Sequence, residues 1–357
     1  MAEGIVYRYP TNVALDEATQ EYFIQRELFI GDQIMPFREH WTQRVQWDEL
    51  DGERGMTSPH NMRSDPRVSG RPGSKTREYE PIPFKETDVI REDELLRARQ
   101  MATLGGVVDL HQLVGERIKA REDKNFIRAE SLRWQALRGE IDIDENGVRV
   151  HETFPVQVYN VVNDWDDFAT ATPLADDMAV SRMFRGTGAS ARGAKAYLNA
   201  TTLEWRLRNG NDDDLRGFRS QNFLSIAFSL DEMNKINVAR GLPEYVLYDE
   251  GFINDDEDFE TFIEDGEVIV TGKRPAGQVV GDISMTPTLH RVKNGVQAPG
   301  MFTIIEVNGQ SNRSMTEVSL ADLGAGKNPK IEVTGGFYGG PRMLYPRSVI
   351  RMRVKLT

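Results

Sequence analysis

Residues 51–76 read DGERGMTSPHNMRSDPRVSGRPGSKT. Gly, Pro, Ser and Arg dominate this stretch, and large apolar side chains are almost absent from it. A segment this long and this poor in apolar groups buries no core of its own. Its flanks are different. Upstream, residues 42–50 (TQRVQWDEL) place Val45 and Trp47 on one face of a strand. Downstream, residues 76–90 read as a strand-like return, and 93–138 as a long, charged helical region without Pro. The excursion therefore packs on another molecule or stays mobile. A projecting arm rooted at a long helix suits a chain that must reach its neighbours in a repeating assembly.

The excursion is basic. Arg63, Arg67, Arg71, Lys75 and Arg77 are opposed only by Asp65 between positions 63 and 77. Spacing by four suggests a helical stripe, but Pro66, Gly70, Pro72 and Gly73 break it, which favours an extended basic hairpin loop. These five residues are expected to meet carboxylates on adjacent subunits. The plain alternative is an ordinary disordered insertion.

Composition bounds the class. The 357 residues suffice for two or three compact modules, and 39% hydrophobic with 28% charged content fits a globular protein with solvated segments. A net charge of -12 argues against tight, sequence-reading nucleic-acid binding. Without Cys there are neither disulfides nor thiolate metal sites. No secretory signal and no bilayer-spanning run is visible, so no membrane role is expected.

Elsewhere the periodicities are mixed. Residues 1–40 read as an arm with one amphipathic helix, capped by Asp16, carrying Tyr22, Phe23, Leu28 and Phe29, and ending at Gly31. The helical region is expected to kink at Gly105-Gly106. Its second part, with Leu110, Val114, Ile118, Ile127, Trp134 and Leu137 among many charges, is expected to lie on a surface. Residues 140–150 form the clearest hairpin, with alternating Ile and Val around Asn146-Gly147. From 165 onward, helices and strands alternate: a helix within 164–185, a strand at 194–199, and a helix capped by Thr201 or Thr202. Ser229 and Glu232 make a capping box for a helix that Gly241 stops. Strands follow at 244–248 and 267–271. At the end Ile350, Met352, Val354 and Leu356 alternate with Arg351, Arg353 and Lys355, a half-buried strand with one basic face.

Chemical motifs are thin. Asp142, Asp144, Asn146 and Gly147 match the first half of a calcium loop, but position twelve is Thr153 and the flanks read as strands. Gly186, Gly188 and Ala191 have dinucleotide-fingerprint spacing, yet the segment before them reads as helix. The five His are scattered, and no nucleophile elbow occurs. Residues 249–267 hold ten acids and no base, which reads first as a solvated loop. A structural protein without cofactor or metal is the expectation.

The order of segments resembles the lambda-like capsid protein E family of tailed phages, which has the Hong Kong 97 capsid fold. Phe23–Phe29, Ile34-Met-Pro-Phe37 and residues 42–52 look like its N-terminal arm and incoming strand. The basic excursion closing with 76–85 looks like its extended loop. Residues 121–139, leading into the Asn146-Gly147 hairpin, look like its spine helix and exit. Residues 262–272 look like a late axial-domain strand, and 341–356 like the final peripheral-domain strand. The resemblance implies an α+β fold: N-terminal arm (1–45), extended β-hairpin loop (46–90), peripheral domain with a long spine helix (91–164), axial domain (165–285), and a return to the peripheral domain (286–357) with a possible insertion.

It also implies a major capsid protein that self-assembles into hexamers and pentamers of an icosahedral shell around double-stranded DNA. Scaffold and portal proteins, and in some members a decoration protein, would be its partners, and it would assemble in the host cytoplasm. On this reading Asp255, Asp256, Glu257, Asp258 and Glu260 lie on an axial loop near the capsomer centre. Arg351, Arg353 and Lys355 are candidates to face DNA phosphates without reading sequence. The alternatives are a nanocompartment shell protein of the same fold and a soluble enzyme with a carboxylate site.

Overall fold

The structure is a computed structural model. It describes residues 6–8, 29–50, 74–91, 94, 108–109, 111–208, 229–254, 257–275, 278–293, 296–307, 310–311, 317–319 and 330–355. In chain order the first elements are β1 (Val6–Arg8), α1 (Gly31–Ile34), β2 (Phe37–Glu39), β3 (Val45–Leu50), β4 (Ser74–Tyr79), β5 (Ile82–Ile90), β6 (Val108–Asp109) and the long helix α2 (His111–Arg138). Then come β7 (Glu140–Glu145), β8 (Val148–Thr153), β9 (Gln157–Asn160), α3 (Pro173–Met183), β10 (Ser190–Leu198), α4 (Ala200–Arg208) and α5 (Leu230–Arg240). The rest is β: β11 (Glu244–Leu247), β12 (Gly251–Ile253), β13 (Phe259–Thr261), β14 (Glu267–Lys273), β15 (Gly281–Met285), β16 (Pro287–Lys293) and β17 (Val296–Pro299). After these follow β18 (Phe302–Val307), β19 (Gln310–Ser311), β20 (Glu317–Ser319), β21 (Ile331–Met343) and β22 (Val349–Arg353).

Two larger sheets organise these elements. One follows the order β19-β18-β21-β15-β2, with β5 also paired to the 13-residue β21. Its antiparallel partners lie along β21 from Ile331↔Ile90 to Gly339↔Ile82 and from Gly339↔Met285 to Met343↔Gly281. The other follows β11-β10-β14-β22-β9. Its central strand β14 is buried on both faces, as the near-continuous apolar run Val268-Ile-Val270 requires. Val268, Val270, Ile350 and Met352 face a core with Trp165, Val180, Phe184 and Leu203. Ile269 and Val349 point the other way, into the core built on α2.

Several expectations hold. Asn146 (φ 50°) and Gly147 (φ 81°) form the tight turn of the β7–β8 hairpin, where both central residues need positive φ. Ser229 and Glu232 bond reciprocally at the start of α5, and Gly241 ends it in the left-handed region. Val45 and Trp47 are buried on one face of β3. The segment around Gly186 and Gly188 is a loop entering strand β10, not a helix, so it has no dinucleotide-binding geometry.

Others are corrected. Gly31 starts a short helix and does not end one; the arm helix expected before it lies outside the described residues. So do the Gly105-Gly106 kink and Leu356. The last turns of α2 do not lie on a surface: Ala129, Glu130, Leu132, Arg133, Trp134, Ala136 and Leu137 are buried, because the second sheet covers the side left open by the first. Helix α4 is capped by Asn199, whose Oδ1 accepts from Thr202 N at 2.9 Å, and not by Thr201 or Thr202. Ile350, Met352 and Val354 are buried as their alternation requires, in a core shared with Trp165, Val180 and Phe184, because β22 pairs with β14 and, in parallel, with β9.

Candidate functional site

Strands β3 and β4 pair antiparallel from Val45↔Tyr79 to Leu50↔Ser74, so the two ends that flank residues 51–73 are direct partners. The root of this hairpin is held by buried charge. Asp282 of β15 is wholly buried and receives two hydrogen bonds from Arg342 of β21, at 2.7 and 2.6 Å. Arg342 also donates to the Gln46 carbonyl at 3.0 Å. Arg38 stands 3.6 Å from the same carboxylate. Tyr79 donates to the Pro341 carbonyl at 2.7 Å. Burial, with the neighbouring Glu152 charge, pushes the Tyr79 hydroxyl well above the ordinary tyrosine range, so it stays a donor at any physiological pH. Trp47 packs edge-on against Tyr79, with centroids 5.7 Å apart, and beside Phe154 at 6.0 Å.

The helix holds the other end of the hairpin. Arg121 pairs with Glu86 of β5, and Lys124 lies 3.2 Å from the same carboxylate. Arg117 reaches Asp88 at 3.3 Å and Glu94 at 3.2 Å. These pairs are largely exposed and each is worth about 0–1 kcal/mol, so they set register more than stability.

A second buried cluster anchors the end of the arm. Glu130, wholly buried, accepts from Gly31 N at 2.9 Å, Trp134 Nε1 at 2.9 Å, Tyr248 Oη at 2.7 Å and Arg133 Nη1 at 2.9 Å. Arg133 continues to the Met35 carbonyl at 2.8 Å and Asp32 at 2.7 Å, and its guanidinium lies 4.4 Å over Phe37. Every polar group here has a partner, which a buried charge requires. Burial, then the Glu130 charge, holds the Tyr248 hydroxyl protonated.

A third network joins the two modules. Arg138 at the end of α2 lies 2.8 Å from Glu264 and 2.9 Å from the buried Glu267, which also accepts from Arg351 Nε at 2.8 Å.

The sequence-derived sites fare differently. Arg63, Arg67 and Arg71 lie outside the described residues, as do Asp255 and Asp256. Lys75 is exposed on β4. Arg77 sits at the hairpin root, where it pairs with Glu49 and donates to the Thr153 carbonyl at 2.9 Å, so partners within its own chain already engage it. Glu257, Asp258 and Glu260 are exposed at the β12–β13 hairpin, and Glu260 accepts from Asn254 at 2.8 Å. Arg351 and Arg353 stand on the face of β22 opposite Ile350 and Met352, and two of the three basic residues have acidic partners. Arg351 is tied to Glu267, and Lys355 lies 2.9 Å from Asp166 and 5.2 Å over Trp205. Arg353 alone is exposed with no ion pair among the described residues. Sequence reading missed Glu130, Arg133, Asp282 and Arg342. Their only signal was a charge set inside an apolar run, as in Gly281-Asp-Ile-Ser-Met285.

Among the described residues no group of His, Asp or Glu could hold a metal ion, and no helix is long and apolar enough to cross a membrane. The Glu130 and Asp282 clusters join segments distant in sequence, an arrangement that fastens them together.

The family model described as "Phage major capsid protein E" matches residues 11–281, most of the chain. No curated protein matches. Among solved structures, a phage-related protein from Bordetella bronchiseptica RB50 superposes with a TM-score of 0.54 at 11% identity, covering 97% of this chain and 98% of that one. A candidate capsid protein of a prophage of E. coli CFT073 gives 0.54 at 13% identity, covering 95% and 99%. At these identities the likeness is one of fold, the Hong Kong 97-type capsid fold.

Proposed function

We infer how this chain, which belongs to the phage major capsid protein E family and is a structural protein of the virion, builds its shell. The subunits associate as hexamers and pentamers that close an icosahedral head around double-stranded DNA. The hairpin segment 51–73 reaches onto a neighbouring subunit. The observation that carries this reading is the contrast between root and projection. The root is pinned by Arg342, Asp282 and Tyr79, while 51–73 has almost no side chains able to form a core. Such a segment gains burial only from another molecule. Each contact is modest, but repetition over a closed shell multiplies it.

Arg63, Arg67, Arg71 and Lys75 supply the cations that meet neighbouring carboxylates. The acidic residues of the β12–β13 hairpin, with Asp255 and Asp256, form a rim toward the capsomer centre, where like charges repel within a Debye length of about 8 Å. Scaffold and portal proteins, and a decoration protein where one is used, complete the head, and assembly takes place in the host cytoplasm.

The test exploits the register. Leu50 and Ser74 are direct partners, so Asn-Gly in place of 51–73 closes the hairpin in a two-residue turn. The expected product is a folded, soluble subunit that forms no shells in negative-stain images. Normal particles would overturn the reading.

A further inference from the structure

An open cavity of about 600 Å³ lies beside the first half of β10, away from the hairpin root and from the buried charge clusters. Its wall carries three cations, Arg192, Lys273 and Arg274, against one carboxylate, Glu244, with Val238 and Leu242 as an apolar side. The backbone shapes it. Ser190 pairs with Lys273 and Lys195 with Thr271, so the register slips between them and the chain bulges through residues 191–194. A bulge re-aims side chains that a regular ladder would hold.

Gly193 within it has φ 78°, and a Cβ there would stand 2.7 Å from Lys273 Cδ and 3.5 Å from its Nζ. The lysine therefore lies across the glycine. Arg192 and Lys273 have no ion pair among the described residues. Arg274 lies 3.3 Å over the Tyr345 ring and donates to Gln278 at 2.9 Å. Its Nε and Nη1 are buried without an acceptor among the described residues. Buried donors of this kind are nearly always matched, and burial draws the Arg274 pKa down, against an opposing pull from the Tyr345 hydroxyl.

We propose that this cavity binds the phosphate groups of a polyanion, with Arg192 and Lys273 as the principal contacts and Arg274 as a charge fixed behind them. Three cations exceed what a single carboxylate ligand would balance. Guanidinium forks together with an ammonium match the several oxygens of a phosphate. The space exceeds one phosphate, so the ligand carries more than one. Free polyphosphate and the backbone of packaged DNA share this chemistry. The site needs one subunit only, so its test is independent of shell assembly.

The unassembled full-length protein is titrated with sodium tripolyphosphate and, separately, with a short blunt DNA duplex, at matched ionic strength, by calorimetry. Wild type is expected to bind at least one of the two. The double variant Arg192→Gln/Lys273→Gln, whose changes are both exposed, is expected to lose about a hundredfold in affinity, on the order of tenfold for each charge-assisted contact. Glu244→Gln, which removes the opposing charge, is expected to bind several-fold tighter. Arg149→Gln, on β8, is expected to bind as wild type does. Binding of tripolyphosphate alone assigns the ligand to free polyphosphate, and binding of duplex alone assigns it to DNA. Absence of binding to both, equal binding by the double variant, or no gain in Glu244→Gln would overturn the proposal.

Discussion

Arg342 and Asp282 form a two-pronged ion pair, Nε to Oδ1 at 2.7 Å and Nη2 to Oδ2 at 2.6 Å, with the carboxylate wholly out of water. The same guanidinium grips the Gln46 carbonyl, so one buried pair joins β15, β21 and strand β3. Removing one partner of such a pair leaves an uncompensated buried charge. Asp282→Asn is expected to cost about 3–5 kcal/mol. Urea unfolding of the unassembled subunit measures it, and a change below about 1 kcal/mol would contradict the burial argument.

Gly340 lies under the Tyr79 hydroxyl. A Cβ at position 340 would stand 2.2 Å from Tyr79 Oη and 3.0 Å from its ring carbon Cζ. Gly340→Ala is therefore expected to push Tyr79 off the Pro341 carbonyl and to destabilise by about 1–3 kcal/mol. Tyr79→Phe removes the clashing atom. In the double variant part of the loss should return, and a double-mutant cycle reads the coupling. Strict additivity would mean that the two residues do not meet as described.

The C-terminal arginines separate by environment. Arg351 is tied to the buried Glu267, which also faces Arg138, whereas Arg353 is exposed. Arg351→Gln is expected to destabilise by about 1.5–3 kcal/mol, the worth of a charged hydrogen bond, and Arg353→Gln by less than about 0.5 kcal/mol. Thermal unfolding of the two variants side by side checks this. Of the three C-terminal cations, Arg353 is the one with no ion pair among the described residues, so its contact with DNA phosphate is tested first. Heads carrying Arg353→Gln with unchanged DNA density and salt sensitivity would leave it no role there.

Glu122, half-buried on α2, is raised from 4.5 to about 7 by burial first and by the adjacent Asp123 second. Between these values the folded state holds a proton that the unfolded state has lost. The contribution of Glu122 to stability is therefore most favourable below pH 4.5 and falls as pH rises through about 7. Glu122→Gln removes this dependence. The variant is expected to match wild type at pH 4 and to exceed it at pH 8 by about 1 kcal/mol, after allowing for solvent screening of a partly exposed group. Parallel pH profiles of stability would contradict the shift.

Local signals carried well where a residue acts through its own backbone or its nearest neighbours. Asn146-Gly147 demanded a tight turn, Ser229 with Glu232 demanded a helix start, and the alternation of Ile350, Met352 and Val354 demanded one buried face. The pairing of Val45 with Tyr79 through Leu50 with Ser74 bears out the strand expected on each side of the apolar-poor segment 51–73. Sequence resemblance set these elements in the order of a capsid subunit. Alternation states that a face is buried but not what covers it; that Ile350 and Met352 meet Trp165, Val180 and Phe184 follows only from the pairing of β22 with β14 and β9. A run of three basic residues likewise says nothing of the acids that fold against them. Glu267 lies 84 positions from Arg351.

What the amino-acid sequence determined by itself was the inventory: the long helix, the capped helix, the tight hairpin turn, the two-faced strands, and through them the family and fold. What only the tertiary structure decided was the set of partners that closes the fold. Asp282 and Arg342 are 60 positions apart, and Glu130 and Tyr248 are 118 apart. No local periodicity records such pairs, because a buried charge is tolerable only when the chain returns from a distance to neutralise it. The cavity beside Gly193 has the same origin: a slip of register between β10 and β14 brings Arg192, Lys273 and Arg274 to one wall.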